Sequence, residues 1–148
     1  MAENAPAFRV LDAAECAALL AAHHVGRLAF SHHDRVDIEP IHYVWSDGWI
    51  YGRTGDGTKL RALAHNRWVA FEIDEVNALF DWRSVVVKGS LFLLSPADDG
   101  PLNGEWDHAV SLLRQLIPTA FSKEDPTPER AVVFRLHADQ VTGRTATP

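Results

Sequence analysis

Ile50-Tyr51-Gly52-Arg53-Thr54-Gly55-Asp56-Gly57-Thr58-Lys59-Leu60 runs from an apolar strand, through a glycine-rich turn, into a stretch with the pattern of a helix start. Thr58 and Lys59 fall in the first turn of that expected helix. Helix N-termini carry unpaired N–H groups and partial positive charge, and so attract anions. A lysine there is mildly unfavourable unless an anion sits beside it. The turn therefore reads in two ways. In one, Arg53, Thr58 and Lys59 converge on a phosphate. In the plainer one, the glycines end a hairpin and Thr58 is an ordinary N-cap, which leaves the pairing of Arg53 with Lys59 unexplained.

Outward from this turn, the pattern is mostly strand. Asp12-Ala13-Ala14-Glu15 reads as a capping box opening a helix through Cys16, Leu19 and Leu20 to about His23, with Gly26 as its stop signal. Strands are expected over 26–31, 36–44, 49–53, 68–73, 82–95 and 131–136, and a short helix over 58–65. Between Ile38 and Ile41 the apolar phase slips across Glu39-Pro40, which predicts a bulge or an edge. Ser46-Asp47-Gly48 is a hairpin turn, and Gly89, midway along a long strand, predicts a bend or a barrel corner. Trp106, Val110, Leu113 and Ile117 form one stripe of a helix over 105–117, ended by Pro118. Six strands with mostly short links predict a mainly β fold, an antiparallel barrel with flanking helices. Residues 1–9 are expected to be a flexible tail, 10–144 one domain and 145–148 a second tail.

Composition narrows the function. The chain has 148 residues and a formal net charge of -6, which argues against a nucleic-acid binder. The single cysteine, Cys16, permits no internal disulfide. There is no basic and apolar leader at the N-terminus and no apolar run long enough to cross a bilayer, so a soluble, cytoplasmic protein without membrane partners is expected. Eight histidines are present, but no His-Glu-x-x-His or Cys-x-x-Cys spacing, and no metal site is expected. In Arg135-Leu136-His137, strand alternation predicts Leu136 inward and its neighbours outward.

Five segments occur in a fixed order: His24-Val25-Gly26-Arg27-Leu28-Ala29-Phe30; Glu39-Pro40-Ile41-His42-Tyr43-Val44; Ile50 to Thr54 with Thr58-Lys59-Leu60; Val69-Ala70-Phe71-Glu72-Ile73-Asp74; and Trp82-Arg83-Ser84-Val85-Val86-Val87-Lys88-Gly89. Together they resemble the flavin-binding split-barrel family related to pyridoxamine 5′-phosphate oxidase, over about residues 12 to 144. The resemblance implies a six-stranded antiparallel split barrel of the FMN-binding type and a homodimer with FMN in a cleft between subunits. It implies that Arg53, Thr58 and Lys59 bind the FMN phosphate and that Ile41, His42 and Thr54 lie along the flavin ring. Glu39 and Pro40 would shape a bulge beside the ring, and Trp82, Ser84 and Val85 would close the cleft, from the partner subunit in one reading. The implied activity is an FMN-dependent oxidoreductase acting on a small molecule, with the flavin performing the transfer and no side-chain acid or base named as catalytic. The alternative is a non-catalytic carrier or sensor holding flavin, deazaflavin or haem.

Overall fold

The computed structural model describes residues 5–55, 63 and 66–148. Its elements are β1 (Ala7–Leu11), α1 (Ala13–Ala22), β2 (Val25–His32), β3 (Arg35–Ser46), β4 (Trp49–Thr54), β5 (Trp68–Ala78), β6 (Asp81–Leu94), α2 (Glu105–Leu116), β7 (Val132–His137) and β8 (Gln140–Thr147). The expected helix over 58–65 lies outside the described residues, Leu63 apart.

Every strand pairing is antiparallel. The pairings β2–β3, β3–β4, β4–β7, β7–β6, β6–β5 and β5–β2 close a six-stranded barrel, with β8 and β1 added beyond β6. The six strands expected from alternation are the six that close. The two added strands correct the expected tails: Ala7 pairs with Thr147 and Leu11 with Gly143, so residues 7–9 and 145–147 belong to the sheet. Their sequences alternate weakly, and two backbone ladders, β1 on β8 and β8 on β6, rather than an apolar pattern hold them. Likewise β5 runs on through Asp74 to Ala78, where a connection was expected.

The capping box of α1 forms as read: the Glu15 N–H donates to Asp12 Oδ1 at 2.8 Å, and the Asp12 N–H donates to Glu15 Oε1 at 3.2 Å. The helix buries Cys16, Leu19 and Leu20 against the barrel. Gly26 lies inside β2, not at the helix stop expected for it. It lets the Phe71 ring approach to where a β-carbon would stand, 2.2 Å from Cζ. The barrel interior holds Leu28, Ile41, Tyr43, Ile50, Phe71, Val87 and Phe134, and the Tyr43 hydroxyl donates to the Leu20 carbonyl at 2.6 Å. A second core lies under α2, where Ala109 and Leu113 meet Val44, Tyr51 and Val133. Leu136 is fully buried between Arg135 and His137, as alternation predicts.

No bulge occurs at Glu39-Pro40. The register from Val25↔His42 to His32↔Arg35 is unbroken. β4 pairs β3 only from Tyr43, so Pro40 stands on a stretch with one open edge, where a missing N–H is tolerated. The phase slip has another cause. Val36 and Ile38 face outward and are 81% and 63% exposed, whereas Ile41 and Tyr43 face the core. Directly paired residues share a sheet face. The outer face that carries Ile38 also carries Val25, Trp68, Val76, Val10 and Phe8, all exposed. Near its centre Arg27 reaches Glu72 and Asp74, each at 3.5 Å. Half-burial and then the neighbouring Asp74 push the Glu72 carboxyl up to about 7, against the pull of Arg27.

Gly89 marks the corner expected of it. β6 pairs with β8 up to Lys88 and with β7 from Leu91. At the change of partner, a β-carbon on residue 89 would stand 1.7 Å from the His137 carbonyl oxygen. Gly89→Ala must therefore move backbone, and a loss of about 3 kcal/mol, read as a lowered denaturant midpoint, is the expected result.

Candidate functional site

A cavity of about 400 Å³ opens beside β3 and β4, lined by Glu39, Pro40, Ile41, Arg53, Thr54, Gly55, Glu129 and Arg130. Its size is that of a small-molecule pocket, roughly 300–1,000 Å³. Pairing puts its parts together. β4 hydrogen-bonds to β3 on one side and β7 on the other, so the end of β4 meets the segment entering β7. Gly55 allows this close approach, since a β-carbon there would meet the Glu129 carbonyl oxygen at 3.0 Å.

Five of the residues expected at the site thus line one cavity: Glu39, Pro40, Ile41, Arg53 and Thr54. His42 sits next to them on β3 with its side chain on the exposed outer face, opposite Val25. Thr58 and Lys59 lie outside the described residues. Trp82 and Ser84 are not in this cavity. They stand on β6, opposite Val76 and Asp74, on the same outer sheet face as Pro40 and His42 but three strands away. Trp82 packs on Phe8, with ring centroids 6.4 Å apart, and lines a separate polar cavity of about 350 Å³ with Arg9, Glu15 and Asp81. Val85 has no exposed surface and belongs to the barrel core, so its side chain cannot close a cleft. The reason is strand parity: Ser84 outward forces Val85 inward.

The Arg53 guanidinium is taken up by the protein's own groups. It is 3% exposed and gripped by the segment between α2 and β7. Its Nε donates to the Arg130 carbonyl at 2.6 Å, and its two terminal nitrogens donate to the Asp125 carboxylate at 3.3 and 2.7 Å. One of these also donates to the Thr127 carbonyl at 3.0 Å, and the Phe121 ring lies 4.1 Å from the guanidinium carbon. Asp125 accepts the N–H groups of Phe121 and Thr127 as well. The Arg53 guanidinium and then these backbone donors hold the Asp125 carboxyl far below the usual range. What the turn at 53–59 predicted as a phosphate cation is thus, at Arg53, the anchor of a strap.

Asp125, Phe121, Glu129 and Arg130 were not singled out from sequence. One local signal was available: Asp125-Pro126-Thr127 has the form of an Asx turn, and the Thr127 N–H does bond to Asp125 Oδ1. The partner of that turn, 72 residues away in sequence, had no such signal. Among the described residues, no three or more His, Cys, Asp or Glu side chains gather to hold a metal ion. Nor, among them, is any helix long and apolar enough to cross a membrane.

The family model for pyridoxamine 5′-phosphate oxidase matches residues 12–145, and the chain belongs to that family. A FAD-binding protein of Mesorhizobium loti, solved by crystallography, is 31% identical over 97% of this chain and 100% of its own, with a TM-score of 0.75. The FAD binding protein of Mycobacterium smegmatis is 26% identical over 93% of this chain and 98% of its own, with a TM-score of 0.66. An uncharacterized protein of Rhizobium meliloti is 32% identical over 93% of this chain and 95% of its own length.

Removing the Arg53 head group leaves a buried carboxylate without its counter-charge, the severe case for an ion pair. Arg53→Met should lower Tm by roughly 5–10 °C, measured by circular dichroism. Because the folded-state pKa of Asp125 is depressed, the pair's contribution is fully present above the unfolded carboxylate range and is lost as pH falls from that range toward the much lower folded value. The gap between wild type and variant should therefore narrow in acid.

Proposed function

We propose that this protein is a flavin-nucleotide-dependent oxidoreductase acting on a small molecule, with the cofactor seated in the cavity beside β3 and β4. The observation that supports the reading is the cavity itself, lined by Glu39, Pro40, Ile41 and Thr54, four of the residues that the family resemblance implies for an FMN site. The names of the Mesorhizobium and Mycobacterium relatives support a flavin. FMN is the simplest cofactor of this kind, and FAD contains the same ring, ribityl chain and first phosphate.

The donor set fits such a molecule. Pro40 offers an apolar contact for a flat ring, and Thr54 and the backbone of Gly55 offer polar groups at the rim. From Gly55 the chain passes within four residues to Thr58 and Lys59, whose residue types suit a phosphate. A bound flavin supplies the hydride and electron transfer. The chain's own share is to bind the ring, keep water from its apolar face and orient its reacting edge, and no side-chain acid or base is assigned to it.

The protein works as a homodimer in this reading. Its outer sheet face exposes Val36, Ile38, Val25, Trp68, Val76, Val10 and Phe8 around the charged group of Arg27, Glu72 and Asp74, a surface rich enough in apolar side chains to suit an interface. A second copy packed on that face would bring Trp82 and Ser84 of one subunit against Pro40 and His42 of the other, which one chain by itself keeps apart.

Purified protein reconstituted with FMN or FAD should show flavin absorbance near 450 nm, and anaerobic NADH or NADPH should bleach it. Absence of bound flavin rejects the reading, a Soret band redirects it to haem, and flavin without bleaching favours a carrier. Lys59→Ala should weaken FMN binding by roughly 1.5–3 kcal/mol in a fluorescence titration.

Charge on the outer face tests the dimer separately. Ile38→Glu should convert a dimer to a monomer in sedimentation velocity while leaving far-ultraviolet circular dichroism unchanged, because Ile38 contributes little to its own core.

A further inference from the structure

The strap that anchors on Arg53 also forms one wall of the cavity. Four N–H bonds and a ring contact fix the Arg53 guanidinium. An anion approaching it would have to displace Asp125, a carboxylate with a bidentate hold. Arg53 is therefore a poor partner for a phosphate arriving from the cavity.

Arg130 differs in each respect. Its carbonyl is pinned by the Arg53 Nε at 2.6 Å, so its side chain starts from a fixed backbone position. Arg130 is one of the residues lining the cavity. Among the described residues, no carboxylate or carbonyl takes a hydrogen bond from its guanidinium, although five N–H donors are available. Glu129, next to it, lines the same cavity with the opposite charge.

We infer that Arg130 is a cofactor-contacting cation that meets the phosphate-bearing end of the flavin nucleotide, and that Arg53 is the positioning residue holding it there through the strap. The inference rests on the flavin reading above and adds two residues to it with opposite electrostatic sign. Arg130 draws the phosphate in and Glu129 pushes against it. Arg53 acts only through the backbone it ties down.

Riboflavin has the ring and ribityl chain of FMN but no phosphate, which makes the pair a direct probe. Apo-protein is titrated with each by flavin fluorescence, for wild type, Arg130→Gln, Arg130→Lys and Glu129→Gln. Arg130→Gln should weaken FMN about ten- to hundredfold and riboflavin by less than about threefold, with Arg130→Lys recovering part of the loss. Glu129→Gln should tighten FMN and leave riboflavin unchanged. Arg53→Met should reduce the preference for FMN over riboflavin in the wild-type background and leave it unaltered in the Arg130→Gln background. Equal losses for both ligands in Arg130→Gln, or no loss for either, would overturn the assignment while the flavin reading stands. Wild-type protein that binds neither ligand would overturn both. Thermal melts accompany each variant, and the FMN-to-riboflavin ratio is read at a temperature where all are folded.

Discussion

The long strand β6 has to serve two sheets, and the remaining architecture follows from how it does so. Its first half lies between β5 and β8, and its second half takes β7 in place of β8. The exchange is possible because residue 89 has no side chain where the backbone of β6 crosses the carbonyl of His137. Once β7 is held there, its other edge reaches β4, and β4 reaches β3, so the barrel closes. Closure gives each of the six barrel strands a partner on both sides and leaves β1 as the edge strand.

That same closure creates the cavity. β7 lies against β4, and the segment leading into β7 is thereby brought beside the end of β4. The strap from Phe121 to Arg130 then needs only one anchor, and Arg53 provides it from within β4. A buried guanidinium with a bidentate carboxylate, two carbonyls and a ring around it is hydrogen-bonded at all three nitrogens, the condition under which a buried ion pair is tolerated. The cavity wall and the barrel are therefore one construction.

The outer sheet face shows how one sequence pattern can carry two demands. In β3, alternation serves the core from Ile41 onward and serves the outside at Val36 and Ile38. Read as a single amphipathic strand, this is a phase slip. Read on a closed barrel, it is a strand with an apolar outside over one half and an apolar inside over the other. The Arg27, Glu72 and Asp74 group sits amid that outside surface, where covering it would further disfavour the second negative charge.

Local pattern was enough to determine the six barrel strands, the capping box of α1 and the corner at Gly89 in β6. Each of these is written in spacing that repeats every two or every few residues, or in a residue type that only one backbone geometry accepts. Tertiary structure alone decided three other matters. It made strands of residues 7–11 and 140–147, whose hold is a backbone ladder to a distant neighbour. It turned Val85 into core while leaving Ser84 outside. And it gave Arg53 to Asp125, because the fate of a charged side chain depends on which opposite charge the folded chain brings within reach, and no spacing along the sequence records that.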